Sequence, residues 1–190
     1  MRVIAGRYRS RRLRAPSWAG LRPTSDRVKE TLFNVVAGRI GGAVVLDGFA
    51  GSGALGIEAL SRGATEVVFV DSDKRAVDLI ARNLAAIGIE SGYVMMRSGL
   101  VEALGCLPDR QRFELALLDP PYEHADLESI LSIVAGRMVP EGVIVLEHAR
   151  RREVPARAGR AERVRQIVVG DSTLSLYRMA PAAARAMEET

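Results

Sequence analysis

Asp119-Pro120-Pro121-Tyr122 follows directly on the apolar run Phe113–Leu118. Two successive prolines remove two backbone donors and fix φ at both positions, giving a stiff turn that presents acceptors. The Asp119 carboxylate and the Pro120 carbonyl suit the two N–H bonds of an exocyclic amine. Such an amine is a poor nucleophile, because its lone pair is delocalised into the ring. Holding both N–H bonds favours a more tetrahedral nitrogen and aims the lone pair, so orientation and electrostatics supply most of the catalysis. Tyr122 can stack on a base taken out of its helix. The plainer alternative is an ordinary proline-rich turn after a strand. The candidate catalytic residues are Asp119, Pro120, Pro121 and Tyr122.

A second motif supplies the other half of a reaction. Gly51-Ser52-Gly53-Ala54-Leu55-Gly56 fits G-x-G-x-x-G, and Asp71 lies 20 residues beyond Gly51. Spacing alone would suggest a dinucleotide. Asp47, four residues before Gly51, argues otherwise: a pyrophosphate at that helix N-terminus would meet a negative charge. A cationic ligand reverses the argument. S-adenosylmethionine carries a sulfonium and an α-ammonium and no phosphate. Asp47 can help hold that amino-acid end, directly or through water, and the glycines leave room for it. Asp71 can accept from both ribose hydroxyls. The candidate cofactor residues are Asp47, Gly48, Gly51, Ser52, Gly53, Asp71, Ser72, Ser98 and Gly99. A loop cap is the competing role for Asp47.

Other reactive side chains are few. The two histidines, His124 and His148, read as lone surface residues, and Cys106 as a packed small hydrophobe. One cysteine allows neither a disulfide framework nor a cysteine-based metal site, and no metal is expected.

Alternating strands and helices must carry these motifs. Thr24 or Ser25 can cap a helix in which Val28, Leu32, Val35, Val36 and Ile40 recur at helical spacing. Strands are expected at 43–47, 66–71, 93–96, 115–119 and 143–147, with helices at 54–62, 73–87 and 126–138. Residues 149–162 read as an Arg-rich connection. The segments 163–169 and 173–179, joined by Gly170-Asp171, read as an antiparallel pair. This is an α/β protein with a mostly parallel, Rossmann-like sheet whose last strands are antiparallel. Ligands bind such sheets beyond the C-terminal strand ends, where Asp47, Asp71, Ser98-Gly99 and Asp119 fall.

Charge is unevenly spread along the 190 residues. The net charge is +4, yet residues 1–39 hold ten Lys/Arg against Asp26 and Glu30. Arg2, Arg7, Arg9, Arg11, Arg12, Arg14, Arg22 and Arg27 are candidate nucleic-acid contacts, since cations on phosphates release counterions. A solubilising tail is the alternative, but Val3, Ile4, Tyr8, Leu13 and Gly6 suit a small β-hairpin better. A second cluster, Arg150 to Arg165, fits an auxiliary phosphate contact and a solvated loop equally. Residues 1–22 are expected to form a basic extension, 23–180 one domain, and 181–190 a loose tail. With 48% apolar and 26% charged residues the composition suits a soluble globular chain. No run approaches the roughly 20 apolar residues of a membrane span. A cytoplasmic monomer is expected.

Several segments resemble a known family. Met1-Arg2-Val3-Ile4-Ala5-Gly6, the stretch from Leu21-Arg22-Pro23-Thr24-Ser25-Asp26-Arg27 to Asn34, and the stretch from Leu46 to Ala64 are similar to the RsmD family of bacterial ribosomal RNA methyltransferases. Asp119 to Tyr122 fits as well, and the likeness runs to about residue 180. It implies a seven-stranded methyltransferase fold with a small N-terminal β-rich RNA-binding extension. It also implies methylation of one guanine N2 in 16S rRNA, on the assembled small subunit or a late precursor. The family's cofactor contacts would fall on Asp47, Gly51, Gly53 and Asp71, and its catalytic motif on Asp119 through Tyr122. Two positions depart from the family. Gly48 stands where a larger apolar residue is common, and Arg97-Ser98-Gly99 lacks the usual polar adenine contact. The residues alone leave other readings open: a DNA adenine-N6 or cytosine-N4 methyltransferase, a nicotinamide-dependent oxidoreductase, or a non-catalytic RNA chaperone.

Overall fold

The computed structural model describes residues 1–16, 18, 25–121 and 126–180. Their elements run α1 (Asp26–Val35), β1 (Val44–Gly48), α2 (Ala54–Ser61), β2 (Glu66–Asp71), α3 (Lys74–Ile87), β3 (Tyr93–Arg97), α4 (Leu100–Cys106), β4 (Phe113–Leu118), α5 (Leu127–Gly136), β5 (Met138–Ala149), β6 (Arg157–Ala158), β7 (Ala161–Val169) and β8 (Ser172–Met179). The strands form one sheet in the order β3-β2-β1-β4-β5-β8-β7-β6. The first five are parallel and β8, β7 and β6 pair antiparallel. Chain order reverses between β1 and β4, which opens a crevice above their C-terminal ends.

Side chains alternate across this sheet and divide the core in two. Val45, Val67, Phe69, Leu115, Leu117, Val143 and Val145 pack with α1, α2 and α3. Leu46, Val68, Val70, Ala116, Leu118, Ile144 and Leu146 pack with α4 and α5. Near-continuous apolar strands are what a parallel sheet covered on both faces requires. Three helix starts are capped by side chains: Ser25 accepts from Val28 N, Asp73 from Arg75 N, and Asp126 from Ser129 N. Thr24, the other cap considered for α1, lies outside the described residues.

The expected strands and helices are present, with differences that have physical causes. Helix α4 was not anticipated; Leu100, Ala103 and Leu104 are its buried stripe, too short a pattern to stand out. Helix α5 stops at Gly136, and β5 begins already at Met138, which pairs with Phe113 across a register shift. The sheet has eight strands among the described residues, because β6 pairs Arg157 with Glu162 and Ala158 with Ala161 inside the Arg-rich connection.

The basic N-terminus forms a hairpin-like turn with a single bridge, Arg2 to Arg12. It lies against the body. Val3 and Leu13 are buried in the same core as α1, α2 and α3. Arg7 N donates to Ser61 O and Tyr8 N to Ser61 Oγ. Gly6 has no room for a side chain, since a Cβ there would lie 1.8 Å from the Ser61 carbonyl oxygen. No helix among the described residues is long and apolar enough to cross a membrane.

Candidate active site

The loop after β1 is held from below and from the side. Asp47 is 1% exposed, and its carboxylate accepts from Gly56 N at 2.8 Å. That bond satisfies an orphan N–H in the first turn of α2, so the loop-cap geometry is present. From the side, Asp71 Oδ2 accepts from Gly51 N at 2.8 Å, and Asp71 Oδ1 accepts from Asp73 N at 2.9 Å. Asp71 thus ties the glycine loop to the end of β2 and keeps further lone pairs on both oxygens. Gly51 and Gly53 have φ of 55° and 75°, a region that favours glycine. Gly56 allows α2 to lie on β2, because a Cβ there would be 2.2 Å from the Phe69 ring. Gly48 is equally confined: a Cβ would meet Leu118 at 2.7 Å and Leu100 at 3.2 Å.

The other expected cofactor residues surround this loop less tightly. Ser52 is nearly buried, with its hydroxyl 3.7 Å from Met1 Sδ. Ser72 is exposed at the end of β2. Ser98 turns its hydroxyl to the Gly99 carbonyl at 3.0 Å, and Gly99 is the exposed residue that starts α4.

Across the crevice stands the proline turn. Asp119 N donates to Gly48 O at 3.4 Å, a long bond that sets the turn directly against the glycine loop. Asp119 is half-buried, Pro120 buried and Pro121 exposed. Arg152 Nη1 reaches the Pro121 carbonyl at 3.5 Å. The structure therefore brings Gly48, Gly51, Gly53, Asp71 and Asp119 around one crevice, with Asp47 buried beneath the glycine loop. Tyr122 lies outside the described residues.

Of the expected nucleic-acid contacts, Arg2, Arg9 and Arg27 line one cleft between the hairpin and α1. Arg9, Arg11, Arg12 and Arg14 are exposed on the hairpin, as is Arg27 on α1. Arg2 pairs with Asp26 at 3.4 Å, and Arg7 lies over the Tyr8 ring at 5.4 Å. Arg22 lies outside the described residues.

Two expectations need correction. His148 is 2% exposed, not a surface residue. Its Nδ1 faces the Ala149 carbonyl at 3.0 Å and its Nε2 the Ser175 hydroxyl at 2.8 Å. A carbonyl only accepts, so Nδ1 carries the proton and Nε2 accepts from Ser175. Burial, together with Arg152 and Arg163, lowers the pKa of His148 and keeps the ring neutral. Cys106, in contrast, is exposed, because α4 ends on it and turns it outward from the stripe formed by Leu100, Ala103 and Leu104. His124 lies outside the described residues. No cluster of His, Cys, Asp or Glu suited to a metal occurs among the described residues.

Four residues of structural weight around the site escaped sequence reasoning. Glu58, fully buried on α2, accepts from Ile4 N at 2.7 Å and Ala5 N at 2.9 Å, and pairs with Lys29 at 3.6 Å and Arg62 at 2.8 Å. Asn83, fully buried on α3, accepts from Arg14 N at 2.8 Å and donates to Ser52 O at 2.9 Å. Both were marked by a polar residue on an apolar helix face, in Ala54–Ser61 and in the stripe containing Ile80, Leu84 and Ile87. Phe49 takes φ of 63°, unusual for a bulky side chain and a form of strain found at functional loops. Glu147 ends β5. Leu146 pairs with Leu118, so Glu147 follows in register beside Asp119. Its Oε1 accepts from the Ser172 hydroxyl at 2.9 Å, while its buried Oε2 has no hydrogen-bond partner among the described residues. Burial raises its pKa.

Burial also pushes the Asp47 carboxyl up to about 8, against the lowering effect of its Gly56 bond. A carboxyl whose folded pKa lies above its unfolded value contributes stability that is complete below the unfolded value near 4. That contribution is lost as pH rises toward the folded value. Asp47→Asn keeps an oxygen acceptor for Gly56 N but has no charge to bury. Urea midpoints are expected to fall from pH 5 to pH 8 more steeply in the parent than in D47N. Parallel profiles for the two proteins would show that Asp47 does not titrate there.

This architecture is that of the α/β methyltransferases: a mostly parallel sheet, antiparallel C-terminal strands, and a glycine loop facing a proline turn across the order switch. A family described as "Conserved hypothetical protein 95" matches residues 1–178. Ribosomal RNA small subunit methyltransferase D of Haemophilus influenzae is 39% identical over 151 residues, covering 77% of this chain and 78% of that protein. The Escherichia coli K12 protein of the same name is 34% identical over 180 residues, covering 93% and 89%. Among solved structures, yhhF from Escherichia coli, a candidate methyltransferase, superposes with a TM-score of 0.82 at 32% identity, covering 95% of this chain and 98% of its own. The chain belongs to the RsmD family, that of the ribosomal RNA small subunit methyltransferase D proteins.

Proposed function

We propose that this protein transfers a methyl group from S-adenosylmethionine to the N2 amine of one guanine in 16S rRNA, within the small subunit or a late precursor. The observation that carries this is the Asp119 turn set against the glycine loop, with Asp119 N 3.4 Å from Gly48 O. Acceptor groups and the donor's cradle then share one crevice. The name of the relatives, ribosomal RNA small subunit methyltransferase D, supports ribosomal RNA as the substrate, and the resemblance supports guanine N2.

The residues present fit the cofactor. Left-handed Gly51 and Gly53 bring backbone close to a ligand, Asp71 retains acceptor capacity for ribose hydroxyls, and Asp47 lies beneath the loop as a carboxyl that an ammonium group would draw into its charged form. When bound, the cofactor would supply an electrophilic methyl on a sulfonium, with a neutral thioether as the leaving group. Asp119 and the Pro120 carbonyl accept the two amine N–H bonds and aim the nitrogen lone pair. A proton then leaves the methylated nitrogen, with Asp119 or water as acceptor. Tyr122 stacks on the extruded base. The hairpin cations hold the surrounding phosphates.

Transfer of a tritiated methyl group to protein-free DNA, protein-free rRNA and small subunits tests the reading. Label is expected in 16S rRNA at guanine N2. Label only in DNA, or on another base atom, would overturn it.

The hairpin makes its own prediction. Arg9, Arg11 and Arg12 are exposed, and changing all three to Ala should weaken RNA binding and reduce the slope of log K against log salt by about 2 to 3. S-adenosylhomocysteine affinity should not change. An unaltered salt slope would remove the hairpin from the RNA interface.

A further inference from the structure

The Arg-rich connection after β5 folds around a cleft of about 480 Å³. Arg150, Arg151, Arg152 and Arg163 line it, with Glu153 the one acid among its lining residues. The turn that presents them is fixed by its backbone: Arg150 N donates to Asp171 O at 2.8 Å and Arg152 N to Ala149 O at 2.9 Å. Arg163 is anchored from β7, where its Nη1 donates to Val154 O at 2.7 Å. Beneath lies His148, held neutral between Ala149 and Ser175, so it adds a polar floor without a charge.

Three features separate this cleft from a solvated loop. Arg150 and Arg151 are exposed, and neither has an ion pair with a carboxylate among the described residues. Arg152 joins the cleft to the proline turn through the Pro121 carbonyl, 3.5 Å away. The side is also distinctive. His148 continues the alternation of Ile144 and Leu146, which pack with α4 and α5, whereas the hairpin's Val3 and Leu13 sit in the opposite half of the core. The two basic surfaces therefore lie on opposite faces of the sheet, and the crevice opens at the strand ends between them.

We propose that this cleft binds the phosphodiester backbone of the RNA substrate next to the target nucleotide, with Arg150 and Arg151 donating to phosphate oxygens. The inference rests on the reading of the protein as an RNA methyltransferase and adds a second phosphate site to it. Guanidinium forks suit phosphate geometry. A base turned out of its stack leaves the backbone on both sides of it needing to be held. Cations on both faces of the sheet would grip the strand on either side of the extruded nucleotide, and Arg152 would link the position of that grip to Pro121.

The test is the double variant Arg150→Ala/Arg151→Ala, whose changes lie on an exposed turn, compared with Arg150→Lys/Arg151→Lys. Binding to protein-free 16S rRNA is titrated against salt, and methyl transfer is measured on the best accepting RNA form. For the alanine pair the slope of log K against log salt should fall by about 1.5 to 2. KM for RNA should rise roughly tenfold or more. Rate at saturating RNA and S-adenosylhomocysteine affinity should stay at the parent's values. The lysine pair should restore the slope while regaining only part of the affinity, since charge returns without the fork. An unchanged slope and KM in an alanine pair that melts like the parent would overturn the proposal. So would a loss seen with intact subunits but not with protein-free rRNA, which would assign the cleft to a ribosomal protein. A parent that methylates no RNA would instead defeat the underlying reading, so the two failures are distinct.

Discussion

Asp119→Ala is expected to lower the methyl-transfer rate by about 10²- to 10³-fold, with S-adenosylhomocysteine affinity within about twofold of the parent. The size follows from what preorganised polar groups contribute at a reacting centre. Removing the carboxylate leaves the amine with one fixed acceptor, the Pro120 carbonyl, and a lone pair no longer aimed. The turn itself should survive, because its attachment to the glycine loop runs from Asp119 N to Gly48 O and needs no side chain. Asp119→Asn keeps one oxygen acceptor and should lose less. Single-turnover transfer with preloaded cofactor isolates the step from binding. A rate within twofold of the parent for Asp119→Ala would remove Asp119 from the chemistry and leave Glu147, its neighbour in register, as the carboxylate to examine.

The second large effect concerns stability. Glu58→Ala should reduce the free energy of unfolding by about 3–5 kcal/mol, the range for deleting one partner of a buried ion pair. Glu58 and Lys29 are both fully buried, and burial already lowers the pKa of Lys29, with Glu58 as its main counterweight. Without that carboxylate, the buried Lys29 keeps only the Arg2 carbonyl and the charge of Asp26 to offset its desolvation. Ile4 N and Ala5 N lose their acceptor as well. Glu58→Gln should fall between parent and alanine variant, since an amide oxygen can still accept from one of the two N–H groups. Urea unfolding measures the loss, and hydrogen exchange at Ile4 and Ala5 localises it. A change below about 1 kcal/mol would mean that water replaces the carboxylate.

Much of this fold could be read from period and punctuation. Strands β1, β2 and β4 are short apolar runs that end within one residue of Asp47, Asp71 and Asp119, and Gly88 stops α3 where its apolar stripe ends. The Asp119 turn and glycine loop were legible because their chemistry is local: each needs particular neighbours within a few residues. Glu58 and Asn83 were not, because the hairpin groups they hold, Ile4 N and Arg14 N, lie 54 and 69 positions away in sequence. A buried carboxylate in a helix announces only that something must pair with it. The position of Arg152 beside Pro121 depends on how β4 and β5 meet, and no spacing within one segment records that. His148 was misjudged for the same reason: its polar partners, Ala149 and Ser175, come from a strand end and from the next strand in space.

Asn83 carries a consequence for modularity. One amide holds both the chain at Arg14, through N and O, and the carbonyl of Ser52 in the glycine loop. The first fourteen residues are therefore no detachable tag. Cutting them away would uncover apolar surface over α1 and α2, take the Ile4 and Ala5 N–H groups from Glu58, and take both Arg14 backbone bonds from Asn83. A shortened chain would be a damaged enzyme rather than a minimal one, and its inactivity would say little about RNA recognition. Point changes at exposed arginines leave that joint intact, and they are the cleaner way to ask what the arm does.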